Sequence, residues 1–113
     1  MHDPVSGDDL VRALSALANP HRLRILAILA GGRMYVSQLA REIRLSRPLV
    51  HMHLQKLEAA GLVIGQLELS EDGKAMKFFE VAPFTLALTP DSIAAAARTL
   101  TPGAASPPRP GAP

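Results

Sequence analysis

The chain contains no cysteine among its 113 residues. That absence excludes disulfides, thiolate metal sites and sensing through thiol redox chemistry. The sequence also has no run of about 18 apolar residues, so we expect no membrane-spanning helix. The first residues, MHDPVSGDD, are polar and acidic, which is unlike a signal peptide, and we expect a cytoplasmic protein.

Positive charge is concentrated in one part of the chain. The net charge is only +2, but residues 12–57 contain eight lysines and arginines and a single glutamate. Such a basic segment favours a polyanion such as nucleic acid as partner, although arginines also simply solvate helix faces. The length predicts one domain with a modest core, which burial at a subunit interface would enlarge.

Two helices are predicted before the first glycine pair. Asp8 or Asp9 can cap a first helix that runs to about residue 18. Asn19 and Pro20 are typical of a helix start, so we expect a second helix that two glycines end after residue 30. The apolar stripe of the first helix is Leu10, Val11, Leu14 and Leu17, and that of the second is Leu23, Leu26, Ile28 and Leu29.

A helix-turn-helix is predicted next, an arrangement that presents one helix for insertion into the major groove of DNA. Ser37 can cap the third helix, and Ser46 can cap a fourth helix over residues 47–60. Val50, Leu54 and Leu57 follow an i, i+4, i+7 spacing, so we expect them to face the core. The outward face is then Arg47, His51, Met52, Gln55 and Lys56, whereas His53 borders the core.

A β-hairpin and a last helix complete the predicted fold. Residues 62–70 and 75–82 have the composition of strands, the turn lies between them, and a helix is expected over residues 91–100. The fold class is therefore mainly α with a small β-hairpin, a winged helix-turn-helix with four helices, two strands and a fifth helix. We assign residues 8–101 to this domain and residues 102–113 to a disordered tail rich in Pro, Gly and Ala.

Three segments together resemble the ArsR/SmtB family of bacterial winged-helix transcriptional regulators. They are ALANPHRLRILAILAGG, VSQLAREIRLSRPLVHMHLQKLEAAGLV and the hairpin that ends in KFFEV. The resemblance implies a homodimer built on the first and last helices, and operator binding through the fourth helix. The expected dimer residues are Leu10, Leu14, Leu17, Ile93, Ala96, Ala97 and Leu100.

The recognition helix of that family commonly follows the pattern S-x-P/S-x-V-S-x-H-L. Ser46, Pro48, Val50, His53 and Leu54 match it, and a histidine stands at the second serine position. The wing carries acidic residues beside its two lysines, which argues against strong minor-groove contact. The predicted DNA-contacting residues are Arg41, Arg44, Ser46, Arg47, Leu49, His51, Met52, Gln55, Lys56, Lys74 and Lys77.

The metal sites familiar in this family are missing. Tyr35 and Ser37 stand near the position of the thiolate pair, and the last helix offers only Asp91 with no histidine. His2 and His21 are the remaining candidates for weak nickel or zinc binding; the alternatives are a disordered terminus and a lone surface histidine. Likeness to nickel-responsive family members that regulate superoxide dismutase expression implies nickel as signal and a partner protein that supplies the metal site.

Two functions remain open at this point. The first is a dimeric, sequence-specific DNA-binding transcriptional regulator, acting as repressor or activator. The second is a winged-helix protein-interaction module whose basic face docks an acidic partner without autonomous DNA binding. An enzyme is not expected, because no set of nucleophile, base and orienting residue is evident in the sequence.

Overall fold

The structure is a computed structural model that describes residues 5–102. Within this range five helices and three strands follow one another. They are α1 (Gly7–Leu17), α2 (Pro20–Ala30), β1 (Met34–Tyr35), α3 (Val36–Ile43), α4 (Arg47–Ala59), β2 (Val63–Leu69), β3 (Ala75–Val81) and α5 (Pro90–Ala97). The order confirms the predicted winged helix-turn-helix. The predicted tail, apart from residue 102, lies outside the described residues.

Strand β1 was not expected from the sequence. It pairs antiparallel with β3, Met34 opposite Phe79 and Tyr35 opposite Phe78, and the sheet order is β1-β3-β2. A strand of two residues is too short to show an alternating pattern in the sequence, and it is recognised only from its pairing with β3. The longer pair, β2 and β3, forms the predicted hairpin from Val63 opposite Val81 to Leu69 opposite Ala75.

Two of the predicted helix starts are confirmed. Asn19 Oδ1 accepts hydrogen bonds from the backbone N–H groups of His21 at 2.9 Å and Arg22 at 3.2 Å. Ser46 Oγ accepts from the N–H of Leu49 at 3.4 Å. These bonds satisfy donors that have no partner inside the helix, and they fix where α2 and α4 begin.

Two other predicted caps are wrong. Helix α3 already begins at Val36, with Tyr35 as its N-cap, so Ser37 is not the cap. The Tyr35 N–H donates to Gln38 Oε1 at 3.0 Å. Helix α1 begins at Gly7, and Ser6 Oγ accepts from the Asp9 N–H at 3.1 Å. Asp8 instead accepts a hydrogen bond from the backbone of Thr101 at 3.1 Å. In each case the helix begins before the predicted capping residue, which therefore lies inside the first turn.

The structure consists of two compact units, residues 12–85 and the terminal segments on either side of them. The core of the larger unit is built from α2, α3, α4 and the sheet, and its fully buried side chains are Ile25, Leu39, Val50, Leu54 and Leu57. Leu23 was predicted to be on the inner side of α2, but it is 53% exposed. Ile25 takes the inner position because residues two apart on a helix point in nearly opposite directions.

In the terminal unit, the start of α1 lies against the end of α5. The Gly7 N–H donates to Thr99 Oγ1 at 2.6 Å, and a Cβ at Gly7 would lie 2.3 Å from the Ala96 carbonyl oxygen. Glycine is therefore the only residue that this approach accommodates without a shift. None of the helices in the described part of the chain is long and apolar enough to span a bilayer.

Candidate nucleic-acid interface

Helix α4 has one buried face and one free face. Val50, Leu54 and Leu57 are fully buried, as their spacing predicted. The residues predicted to face outward are all exposed: Arg47, Leu49, His51, Met52, Gln55 and Lys56. The helix therefore presents a cationic and hydrogen-bonding surface from its first turn to its last, the kind of surface that reads base edges in a major groove.

The turn before α4 contributes further exposed positive charge. Arg44 closes α3 in the left-handed conformation with φ 60°, and it is exposed, as is Arg41 one turn earlier. Ser46 is also exposed, but its hydroxyl already accepts a backbone hydrogen bond as the cap of α4. Among these three residues, the two arginines are therefore free to meet phosphates, while Ser46 mainly fixes the helix start.

A partly buried polar link holds α4 from behind. Arg22 Nη1 lies 3.2 Å from His53 Nδ1, and the same guanidinium donates through Nε to the Ala16 carbonyl at 2.6 Å and through Nη2 to the Ser15 carbonyl at 3.5 Å. Because arginine only donates, His53 Nδ1 is the acceptor, and the imidazole is neutral with its proton on Nε2. The link joins α1, α2 and α4. The sequence had predicted a packed, hydrogen-bonded His53 but not its partner.

The surroundings of His53 disfavour its protonation. Burial lowers the pKa of His53, and the nearby positive charge of Arg22 lowers it further, followed by His21 and Lys56. Each cause acts against the imidazolium form, which would bring a second charge beside the guanidinium. The link therefore depends on a neutral His53.

The wing combines exposed lysines with an acidic tip. Lys74 and Lys77 are exposed, as predicted. The turn is closed by hydrogen bonds around Ser70, including one from its hydroxyl to the Asp72 carboxylate, and that bond lowers the pKa of Asp72. Glu68 forms an ion pair with Arg33 at 3.7 Å. The lowered pKa keeps the Asp72 carboxylate of the tip negatively charged.

Gly65 brings the wing close to α4. A Cβ at this position would lie 2.6 Å from Lys77 Cε, 2.8 Å from the Phe79 ring and 3.0 Å from the Glu58 carboxylate. With no side chain there, the aliphatic part of Lys77 crosses the strand and its ammonium stays 5.2 Å from the centroid of Phe79. The glycine therefore fixes the direction of this lysine.

The remaining metal candidates stay without a complete site. His21 stacks at a tilt against His53, with ring centroids 5.5 Å apart, and its Nδ1 is buried without a hydrogen-bond partner in the described structure. No group of three histidine, aspartate or glutamate side chains within residues 5–102 is arranged to hold a metal ion. His2 lies outside the described residues.

Comparisons with known proteins agree with this geometry. Residues 19–64 match the profile of the bacterial regulatory protein arsR family. The chain is 42% identical over 76 residues to the HTH-type transcriptional regulator MJ0229 of Methanocaldococcus jannaschii, an overlap of 67% of this chain and 79% of that protein. It is 44% identical over 59 residues to the HTH-type transcriptional regulator CmtR of Mycobacterium bovis, covering 52% of this chain and 50% of CmtR.

A solved structure gives the same result for the fold. The homodimeric winged helix-turn-helix DNA-binding domain of a Mycobacterium bovis protein superimposes with a TM-score of 0.60 at 27% identity, over 80% of this chain and 74% of that one. Fold and exposed helix define a winged helix-turn-helix regulator of transcription, not an enzyme. More particularly, the chain belongs to the ArsR family.

Proposed function

We propose that this chain is a dimeric, sequence-specific regulator that reads its operator through α4. The observation that carries the proposal is the division of α4 into a fully buried face and an exposed face that carries Arg47 and Lys56. In this reading Gln55 and His51 contact base edges, while Arg41, Arg44, Arg47 and Lys56 contact phosphates. Lys74 and Lys77 add phosphate contacts from the wing.

The dimer is proposed on α1 and α5. Large apolar side chains are exposed on both helices or just beyond them, with Leu14 38%, Ile93 50% and Leu100 43% exposed. Leu10 and Leu17 are half-buried, Ala97 is exposed, and Ala96 is already buried within the protomer. The Mycobacterium bovis domain of the same fold is homodimeric, which supports a dimer. Two copies on one two-fold axis would read half-sites about one helical turn apart.

Operator binding is tested by fluorescence anisotropy with the DNA upstream of the gene. Gln55→Ala should weaken binding by about 1–3 kcal/mol, the value of one base contact, and Arg47→Ala should weaken binding to every duplex alike, both without lowering the melting temperature. Arg24→Ala is the matched control, because Arg24 is exposed on α2 and its replacement removes one positive charge, as Arg47→Ala does. Wild-type affinity in both α4 variants would refute the assignment of α4 as the reading helix.

The signal belongs to the proposal as well. We propose a response to nickel or zinc, held weakly by this chain or delivered by a metal-binding partner protein, in a cytoplasmic setting. The basis is the likeness to nickel-responsive regulators, since the chain has no cysteine to supply a thiolate ligand. Calorimetric titration of the purified chain with each metal tests it. A nanomolar site on the chain alone would contradict dependence on a partner.

A protein-interaction module remains the second candidate function, because the wing tip is acidic and carries two strongly exposed leucines. Leu67 is 73% and Leu69 is 74% exposed, beside Glu71 and Asp72. In that case the basic face of α4 docks an acidic protein. Absence of binding to any duplex at low salt would favour this function over the first.

A further inference from the structure

A pocket opens between the end of α2 and the end of β3. Its volume is about 490 Å³, within the range of pockets that hold small molecules, and it is lined by residues 29–33 on one side and residues 80–83 on the other. All of these residues belong to the larger compact unit, residues 12–85. None of them is among the residues proposed above to contact DNA, so the pocket is a separate feature of the molecule.

Negative charge reaches this pocket from two elements. Helix α2 ends at the pocket, and the carbonyl groups of its last turn form the negative end of the helix dipole. No basic residue lies in that last turn to compensate it. Glu80 lines the other side, where it is half-buried, and it forms no ion pair within residues 5–102. The pocket therefore favours a positively charged ligand.

The backbone of β3 adds hydrogen-bonding groups to the lining. The Ala82 N–H donates to the Leu62 carbonyl at 3.0 Å, on the side of β2. Because successive residues of a strand direct their backbone groups to alternate edges, the N–H and C=O of Val81 are directed to the opposite edge. Strand β1 begins only opposite Phe79, so no strand in the described part of the chain pairs with Val81 there. The pocket thus gains one further acceptor and one donor.

Arg33 also belongs to the lining, but its charge is directed elsewhere. Its guanidinium carbon lies 4.0 Å from the centroid of the Phe78 ring, and its Nη1 lies 3.7 Å from Glu68 Oε2. The register of the hairpin places Glu68 and Glu80 on opposite sides of Phe78 along the strands. The guanidinium is therefore drawn towards the outer part of the hairpin, and the charge of Glu80 stays uncompensated.

We infer that this pocket binds a small organic ammonium ion with an apolar body. An ammonium group only donates hydrogen bonds, and the acceptors around the pocket are the Glu80 carboxylate, the Val81 carbonyl and the carbonyls at the end of α2. Leu29 and Pro83 supply apolar lining for the hydrocarbon body. A metal ion such as calcium fits less well, because it takes about six to eight oxygen ligands. Glu80 is the one carboxylate among residues 29–33 and 80–83.

NMR titration of the full-length chain with benzylamine, a cation at neutral pH, tests the site. We expect saturable shifts of the backbone amide signals of Gly31, Gly32, Val81 and Ala82. Benzyl alcohol has the same ring without the charge, so it should bind about tenfold more weakly, through loss of a charge-assisted hydrogen bond. Equal affinity for the two compounds, or shifts confined to the acidic wing tip, would overturn the inference.

Variants locate the ammonium group in the pocket. Glu80→Gln keeps the shape of the side chain and removes its charge, so it should weaken benzylamine binding about tenfold. Glu71→Gln removes an equal charge at the exposed hairpin turn and should leave the affinity unchanged. Ala30→Lys places a cation in the last turn of α2, where it favours the helix, and should also weaken binding about tenfold or more. Wild-type affinity in either Glu80→Gln or Ala30→Lys would overturn the assignment.

Calcium chloride, titrated at constant ionic strength, separates a metal ion from an organic cation. We expect no effect of calcium on benzylamine binding, since a single carboxylate lines the pocket. Tight saturation of the same amide signals by calcium, with displacement of benzylamine, would identify a metal site and overturn the inference. All of these measurements are made without DNA, so their outcome is independent of the proposed operator binding.

Discussion

Replacement of Arg22 by alanine should loosen α4 from the helices behind it. The guanidinium donates to the Ala16 and Ser15 carbonyls, and it supplies the hydrogen bond to His53 Nδ1. After Arg22→Ala, His53 keeps its buried position, 5% exposed, but loses its partner. A buried polar group without a partner carries the full cost of its removal from water.

The magnitude follows from the number and kind of bonds. Hydrogen bonds that involve a charged group contribute about 1.5–3 kcal/mol each, and the bonds to Ala16 and His53 are the two shorter ones. Since Arg22 is half-buried and water can replace part of these contacts, we take the lower value for each. The expected loss is about 3 kcal/mol of unfolding free energy, which in a domain of this size lowers the melting temperature by roughly 15 °C.

Urea denaturation followed by circular dichroism measures the loss. Arg22→Lys keeps the charge but cannot reach three acceptors at once, so it should lie between Arg22→Ala and the wild type. Arg24→Ala, on the exposed side of the same helix, should stay within about 0.5 kcal/mol of the wild type. If Arg22→Ala were as stable as Arg24→Ala, the link between Arg22 and His53 would have no energetic role and the account of how α4 is held would be refuted.

Three further predictions concern pH, packing and helix starts. The pKa of His53 is lowered in the folded chain, so the unfolded chain takes up the proton first as the pH drops. Stability should therefore fall below about pH 6.5, the unfolded pKa of histidine. Urea midpoints at several pH values check this, because the fall should be smaller in His53→Asn than in the wild type. Gly65→Ala should destabilise by about 1–3 kcal/mol, since its Cβ would lie 2.8 Å from the Phe79 ring, and an unchanged melting temperature would contradict it. Asn19→Ala should lower the free energy of unfolding by about 1 kcal/mol, and Ser46→Ala should lower it less, because the Ser46 cap bond is longer at 3.4 Å. Equal losses of stability in thermal melts would speak against this ranking.

The elements that sequence reasoning predicted well are those whose pattern is local. The spacing of Val50, Leu54 and Leu57 defines the buried face of α4, and the cap at Asn19 defines the start of α2. Strand β1 was beyond this reasoning because its two residues become a strand only through pairing with β3, more than forty residues later. The pocket shares that limit, since its lining joins the end of α2 to the end of β3.

The partner of His53 could have been found from a signal that was present. Arg22, Ile25 and Leu29 follow an i, i+3, i+7 spacing, so an arginine occupies the buried stripe of α2. A charge on an inner face requires a polar partner, because its burial is otherwise too costly. The apolar side proposed for α2 is right at Leu29, which is buried, and at Leu26 and Ile28, which pack against the core. It included the exposed Leu23 in place of Ile25, so the question of what Arg22 binds did not arise.

The same helix carries the polar link and the proposed reading face, so we expect stability and DNA recognition to be coupled. His51 and His53 are two residues apart, so their side chains point about 200° apart, one exposed and the other buried. Any rotation of α4 that relaxes the contact between His53 and Arg22 therefore moves His51 by the same angle. Base contacts require positions accurate to fractions of an ångström. A substitution at Arg22 or His53 should therefore weaken DNA recognition even at temperatures where the chain stays folded.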